Sequence, residues 1–270
     1  MRDYSVSGED FTLEALEDGS LLRTITSPLA DMSKYYESQD YISHTDGARN
    51  LFEKVYQWVK AISLRNKVKM IGKHVGMPGN ILDIGCGTGD FLVHAKSEGW
   101  KIQGVEPNPT AAGFAARKGV LVQNNTAGLP QNTFNVITMW HVLEHVPDPE
   151  AQFVELLRLL KPEGLLVIAV PNFKSLDAQH YGPFWAAFDV PRHLWHFSQK
   201  AISNLASRHQ MKVVQTLPMW FDAFYVSLLS EKYRHGKIRP VQGLWQGLRS
   251  NLSALRTGEC SSQIYLLKRN

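Results

Sequence analysis

The stretch Asn80-Ile81-Leu82-Asp83-Ile84-Gly85-Cys86-Gly87-Thr88-Gly89 decides the fold of this 270-residue chain. A short apolar run stops at a glycine-rich turn, and a helical pattern follows from about Asp90. Glycines at such a turn let backbone approach a ligand closely, and the start of the helix presents free N–H groups. A dinucleotide loop would read G-x-G-x-x-G, but the sixth position counted from Gly85 is Asp90, so the third glycine is missing. Asp83, two residues ahead of Gly85, would set a carboxylate against a pyrophosphate. It suits a cationic group better, such as an amino-acid ammonium. Taken alone, the turn is also compatible with a purely structural role.

Outward from this turn the pattern alternates. Apolar runs recur at Ile81–Ile84, Ile102–Val105, Val120–Val122, Val136–Met139 and Leu165–Val170. Helical stretches separate most of them, at Phe91–Ser97, Ala111–Lys118 and Glu150–Leu160. Strands alternating with helices predict parallel βαβ units and a doubly wound α/β sheet. Upstream, Leu51, Val55, Trp58, Val59, Ile62 and Leu64 fall near a 3.6-residue spacing with lysines between, so 51–76 reads as a helix stopped by Gly76-Met77-Pro78-Gly79. Downstream, residues 172–198 are aromatic, histidine-rich and poor in periodicity, which predicts a long loop or insertion. A helix at Gln199–His209 and a strand at Lys212–Leu217 resume the pattern. The expected division is a preface or lid over 1–50 and one domain over 51–270, with its cofactor half at about 79–171.

Hydrophobic residues make up 44% and charged residues 20%, which excludes intrinsic disorder and collagen-like architecture. Two cysteines, Cys86 and Cys260, are too few for a disulfide framework or a four-cysteine zinc site and point to a reducing, cytoplasmic setting. The start of the chain carries no basic-then-apolar signal segment. The densest apolar run, Leu165–Val170, falls far short of the roughly 18–20 residues that span a bilayer. The net charge of +4 is unevenly spread. Residues 1–50 hold 4 basic and 10 acidic side chains, a net −6, and residues 231–270 hold 8 and 2, a net +6. Solvated charge is the ordinary reading of such polarity, with an anionic partner at the C-terminal end as the alternative.

The run from Asp83 to Gly89 resembles motif I of the class I S-adenosylmethionine-dependent methyltransferases, in the type 11/23-like branch related to ubiquinone-type O-methyltransferases. Further matches follow in order over about residues 79–171. Gly104-Val105-Glu106-Pro107 is similar to the end of the family's second strand, and Glu106 lies 23 residues after Asp83, near the spacing of a βαβ unit. Asn124-Asn125-Thr126 resembles the stretch that edges the adenine, with Asn125 where aspartate is usual. Phe134–Val146 is similar to the fourth strand and the turn beyond it, with Asn135 replacing the usual aspartate. Leu160-Lys161-Pro162-Glu163-Gly164-Leu165 is similar to L-K-P-G-G-x-L. The resemblance implies a Rossmann-like mixed seven-stranded sheet with helices on both faces and S-adenosyl-L-methionine as cofactor. It implies Asp83, Gly85, Cys86, Gly87, Gly89, Glu106, Pro107, Asn125, Thr126 and His141 as cofactor-binding residues, Glu106 holding the ribose hydroxyls.

Methyl transfer from a sulfonium is an in-line displacement, so positioning and exclusion of water supply much of the catalysis. A base is needed only for a poorly ionised acceptor such as a phenol or alcohol. His141, Glu144 and His145 share one face of a helical turn, a spacing that suits metal ligands or a proton shuttle. Some ubiquinone-pathway relatives have Glu-Val-Leu-Glu-His here and are thought to bind a divalent ion. Other relatives keep the stretch without metal, the first position lying near the cofactor and Glu144 capping structure, and no metal is expected here. In the insertion, Arg192 and His193 could supply an anion clamp and a base over the acceptor, or Trp185, Trp195 and Phe197 could pack a satellite core. His141, His193 and Arg192 are therefore the catalytic candidates, and Tyr36, Tyr41, Trp185 and His193 the acceptor-side ones.

Some relatives begin with a C-x-x-C-G zinc-ribbon segment. Ala15 and Asp18 take the cysteine positions, so no zinc site can form, although residues 1–30 could keep a hairpin. The expected reaction is methylation of a small-molecule or lipid-like acceptor, most simply at oxygen. Methylation of a carbohydrate or envelope precursor, or cofactor binding without catalysis, are the alternatives. Nucleic acid is disfavoured, because Met139-Trp140-His141-Val142 stands where amino-directed DNA enzymes carry a D/N-P-P-Y turn. The apolar stretch Leu217–Leu229 beside basic residues up to 239 is a candidate for peripheral membrane or homodimer contact, or else for core.

Overall fold

Each apolar run flanked by glycine or proline becomes a strand, and the polar-faced segments between them close back as helices. The structure is a computed structural model that describes residues 1–26, 34–35 and 51–270. It opens with a hairpin of β1 (Thr12–Leu16) and β2 (Leu21–Ile25), and helix α1 (Leu51–Val75) follows. Then come β3 (Asn80–Ile84), α2 (Asp90–Ser97), β4 (Lys101–Val105), α3 (Pro109–Arg117), β5 (Val122–Gln123), β6 (Phe134–Trp140), α4 (Pro149–Leu159) and β7 (Leu160–Pro171). The C-terminal third holds α5 (Leu176–Tyr181), β8 (Trp195–Phe197), α6 (Gln199–Arg208), β9 (Met211–Pro218), α7 (Asp222–His235), α8 (Pro240–Thr257) and β10 (Ser262–Arg269).

Caps fix several helix starts. Asn108 and Asp148 each accept two backbone N–H groups and precede Pro109 and Pro149, and the Ser198 hydroxyl caps α6. The main sheet has the order β5-β4-β3-β6-β7-β10-β9. The pairs from β5 to β7 are parallel, while β10 runs antiparallel to both its neighbours. This is the mixed, doubly wound seven-stranded sheet implied by the resemblance. Its faces are covered on both sides. Leu82, Ile137 and Ile168 pack with Phe153, Leu156, Ile202 and Leu205 on one, and Ile81, Val136 and Val167 with Val68, Ile71, Phe91 and Leu92 on the other. Fully burying such a side chain stabilises by roughly 1.5–3 kcal/mol, so these two layers hold the sheet.

Two regions differ from the sequence reading. Residues 172–198 are not one long loop, because β8 pairs antiparallel with β2 and completes a separate three-stranded sheet, β1-β2-β8. The N-terminal hairpin is thereby tied to the insertion, and Thr24 reinforces it by donating its hydroxyl to the His193 carbonyl (2.7 Å). The second difference is α8, which pairs with α7 as a helical hairpin. It approaches closely through Gly247, where an added Cβ would lie 2.9 Å from the Ala223 carbonyl oxygen and 2.8 Å from the Phe224 ring. Gly247→Ala should therefore destabilise the fold by about 1–3 kcal/mol through overpacking. A lowered denaturant midpoint at unchanged slope checks this, and an unchanged midpoint would refute the close contact.

Candidate active site

The register sets Ile84 beside Val105 on one side and Met139 on the other. The chain therefore leaves β3, β4 and β6 at one edge of the sheet, the carboxyl end where open α/β sheets bind ligands. Gly85 has φ 68, and a Cβ there would meet Val142 Cγ2 at 2.5 Å, so only glycine fits. Gly87, with φ 53, has nothing within 4 Å of where a Cβ would stand, so the backbone is open to a ligand at that point. Its N–H donates to Glu106 Oε2 (2.9 Å), while Glu106 Oε1 accepts the Asn108 N–H (2.8 Å). Gly89 is the left-handed N-cap of α2.

Asp83 is buried, and its Oδ1 accepts the Thr138 hydroxyl at 2.6 Å. Burial raises its pKa to about 7, against the Thr138 hydrogen bond and the charge of Lys67, which pull it down. Two carboxylates, Asp83 and Glu106, thus flank the glycine turn, which favours a ligand carrying an ammonium and hydroxyls over a pyrophosphate. Cys86 is buried with its thiol pushed up to about 12, mainly by burial, and is no nucleophile at neutral pH. Beside the turn, Pro107 is exposed and Asn108 caps α3. Asn125 Oδ1 accepts the Ala127 N–H (3.0 Å), shaping an Asx turn, and the Thr126 carbonyl accepts from Arg158 (3.2 Å). Asn135 Oδ1, at the position where the resemblance implies aspartate, accepts the Asn80 N–H (3.1 Å).

Just past β6, His141 has φ 56 and donates its backbone N–H to the Ala169 carbonyl (2.9 Å). Its Nδ1 lies 3.3 Å from Glu144 Oε1 and its Nε2 3.1 Å from Asp222 Oδ2, with about a third of the side chain exposed (34%). Burial would lower the His141 pKa, but the ion pairs with Asp222 and Glu144 outweigh it and raise it to about 10. The imidazole is therefore a cation at neutral pH. Burial opposes ionisation of Glu144 and of Asp222, and the ion pair each makes with His141 overrides it, holding both below the usual carboxylate range. Lys67 of α1 stands 4.0 Å over the Trp140 ring, its pKa lowered by burial.

The insertion's candidates fall elsewhere. Arg192 was expected as an anion clamp, but its guanidinium is engaged within the protein. It donates to Asp189 (2.9 Å from Nε), to the Tyr35 carbonyl (3.0 Å) and to the Ser5 hydroxyl, and lies 3.5 Å from Asp3. Trp185, expected on the acceptor side, is buried in a satellite core with Tyr181 and Phe188, and its indole N–H donates to Asp177 (2.7 Å). His193 is buried, and its Nδ1 donates to the Ala187 carbonyl (2.9 Å). Burial first, then the neighbouring His145, lower its pKa to about 4, so it is neutral at pH 7. Tyr36 and Tyr41 lie outside the described residues.

The histidines and acids regroup relative to the sequence spacing. Among the described residues, Glu144, His145 and His193 bring potential ligand atoms within 4.8 Å of one another, whereas His141 turns to Asp222. Lys67, Thr138 and Asp222 had no role in the sequence reading. Only the lysines lying between the apolar positions of α1 hinted at the first, and nothing local marked the other two.

The sequence model of the methyltransferase-domain family matches residues 48–216, more than half of the chain. The chain is 27% identical over 200 residues to 2-methyl-6-phytyl-1,4-hydroquinone methyltransferase of Synechocystis sp., covering 65% of this chain and 60% of that protein. It is 32% identical over 127 residues to ubiquinone biosynthesis O-methyltransferase of Rhodopseudomonas palustris, covering 43% of this chain and 50% of the relative. The chain thus spans less than two thirds of the length of either relative. Among solved structures, an S-adenosylmethionine-dependent methyltransferase from Thermotoga maritima, described as a possible histamine N-methyltransferase, superposes with a TM-score of 0.53 at 25% identity. That match covers 81% of this chain and 96% of the other.

Removing the Glu106 carboxylate tests the cofactor edge. Glu106→Ala should weaken S-adenosylhomocysteine binding by roughly 10–100-fold, the loss expected for hydrogen bonds to a charged group, as read by calorimetry. Affinity within twofold of the wild type would remove Glu106 from the site.

Proposed function

The chain belongs to the methyltransferase family, whose methyl donor is S-adenosylmethionine, and from that membership we propose that it methylates a small-molecule or lipid-like acceptor at oxygen. The observation that carries this reading is the shared exit of β3, β4 and β6, which gathers the Gly85–Gly89 turn, Glu106 and His141 at one edge. When bound there, the cofactor supplies an electrophilic methyl on a sulfonium. Glu106 takes the ribose hydroxyls, Gly85 and Gly87 let the backbone come close, and Asp83 serves the ammonium end. Asn125 and Thr126 edge the adenine.

His141 is the acceptor-side residue, since it combines exposure with a fixed charge. As a cation it stabilises an acceptor hydroxyl in its ionised form, which is what attack on a methyl group requires. His193, buried, bonded to the Ala187 carbonyl and held neutral with a pKa lowered to about 4, supports the turn that carries Glu144 and His145 and takes no proton from the acceptor. Oxygen as the methylated atom draws support from the O-methyltransferase relative. Residues 1–50 form the preface to a catalytic domain over 51–270, and two buried free cysteines suit a cytoplasmic enzyme. Contact with a membrane or a second copy is assigned to the region after β9.

We also take the reaction to be metal-free. The Glu144 carboxylate is already balanced by the His141 imidazolium, and a divalent ion among Glu144, His145 and His193 would sit beside that fixed positive charge.

Three outcomes follow from these assignments. His141→Ala should lower kcat by about 10²–10³-fold, and it should also lower the denaturant midpoint, because buried Glu144 loses its counter-charge. An unchanged kcat removes His141 from the acceptor side. Because the raised pKa keeps the cation intact below it, wild-type activity should fall as pH rises through about 10, and His141→Ala should lack that limb. Treatment with EDTA should leave turnover unchanged; loss restored by added divalent metal would contradict the metal-free assignment.

A further inference from the structure

Helix α8 turns its apolar side outward. Gly243, Gly247, Ser250 and Ala254 are buried against the protein, whereas Val241, Leu244, Trp245, Leu248, Leu252 and Leu255 are exposed, Trp245 at 60% and Leu255 at 69%. At 100° per residue these six fall within an arc of about 100°, opposite the packed side. A helix packed on a protein ordinarily buries its apolar stripe. Here the stripe faces away, and no element among the described residues covers it. Asn251 donates to the Trp220 carbonyl (2.9 Å), so exposed Trp220 and Phe221 border the stripe and extend it. A contiguous apolar surface of this kind marks an interaction site.

The charges around it identify the occupant. Arg249 and Arg256 flank the stripe on α8, and Lys237 and Arg239 precede the helix. The helix itself contains no acidic residue. The nearby acids are engaged: Glu231 is buried, accepts from Tyr181 and lies 3.7 Å from Arg239, Asp222 is held by His141, and Glu259 beyond the helix accepts from Asn172. In a two-fold pair of copies the stripes, each bordered by Arg249 and Arg256 with no acid on the helix, would bring like charge together. We propose that the outer face of α8 seats the protein on an anionic lipid surface, the helix lying in the plane of the interface. From Val241 to Leu255 the stripe is about 21 Å long at 1.5 Å per residue. The large apolar side chains enter the boundary between headgroups and acyl chains, while the arginines meet lipid phosphates. No described helix is long and apolar enough to cross a membrane, so this contact lies on the bilayer rather than through it. The site read from sequence at 217–239 shifts onto 240–257. The proposal is independent of the methyl acceptor, although α7, which carries Asp222 to His141, begins beside the same surface.

The test is flotation of the full chain with vesicles of phosphatidylcholine alone or of phosphatidylcholine mixed with phosphatidylglycerol. The expected result is binding to the mixed vesicles that weakens with salt, with a blue shift of tryptophan emission absent from Trp245→Ala. Leu248→Glu with Leu252→Glu, both outward-facing and checked by an unchanged thermal melt, should abolish flotation. Arg249→Gln with Arg256→Gln should weaken it about thirtyfold, taking about 1 kcal/mol per basic residue. Equal binding to neutral vesicles, or none to anionic ones, would overturn the proposal. So would a dimer in sedimentation that Leu248→Glu dissolves while no vesicle binding is seen, which would assign the face to a second copy.

Discussion

The contact on which the site depends is the imidazolium of His141 held between Glu144 and Asp222. Three parts of the chain meet there: the end of β6, the short turn Leu143–His145, and the first turn of α7. His141 adopts φ 56, a backbone region that costs a non-glycine residue about 1–2 kcal/mol. A backbone hydrogen bond to β7 and two carboxylates fix it there. Glu144 is buried at 1% exposure, so without this partner its charge would stand uncompensated in the interior. The same cation fastens the C-terminal helical hairpin to the edge of the sheet, so the acceptor side is built against the cofactor side by one charged side chain.

A second charged tie organises the outer layer. Arg192 gathers Asp189, Asp3, Ser5 and the Tyr35 carbonyl, drawing residues near the N-terminus onto the insertion after β7. The pairing of β2 with β8 continues that seam, and the buried His193 and His196 lie along it with neutral rings. The insertion is therefore a packed support for the turn bearing Glu144 and His145, whose carbonyl and imidazole bond to the Leu194 N–H and the Arg192 carbonyl. A residue type suited to binding an anion serves here to hold two segments together.

What the sequence made legible was local. The turn at Gly85–Gly89, the acid at Glu106 and the alternation from residue 80 to 171 each depend on spacing within one βαβ unit, and each stands where spacing put it. Asp222 reaches His141 across some eighty positions, and Lys67 approaches Trp140 from a helix that precedes the sheet, so no window of sequence contains either contact. Strand β8 is three residues long and takes its identity from pairing with β2, leaving no alternation to read. Arg192 and His193 carry the same residue types whether they line a cleft or are buried, and only their partners distinguish the two. In α8, Gly243 and Gly247 argue against a helix by propensity, although their lack of side chains is what lets α7 pack so closely.

The measurement that bears most directly on this arrangement is the pH titration of the His141 ring by NMR, in the wild type and in Asp222→Asn. A cation held by two carboxylates titrates near pH 10 in the wild type and moves down toward the ordinary histidine value of about 6.5 when Asp222 loses its charge. A wild-type midpoint already near 6.5, unmoved by the substitution, would mean that His141 is not the ion that joins the two halves of the site.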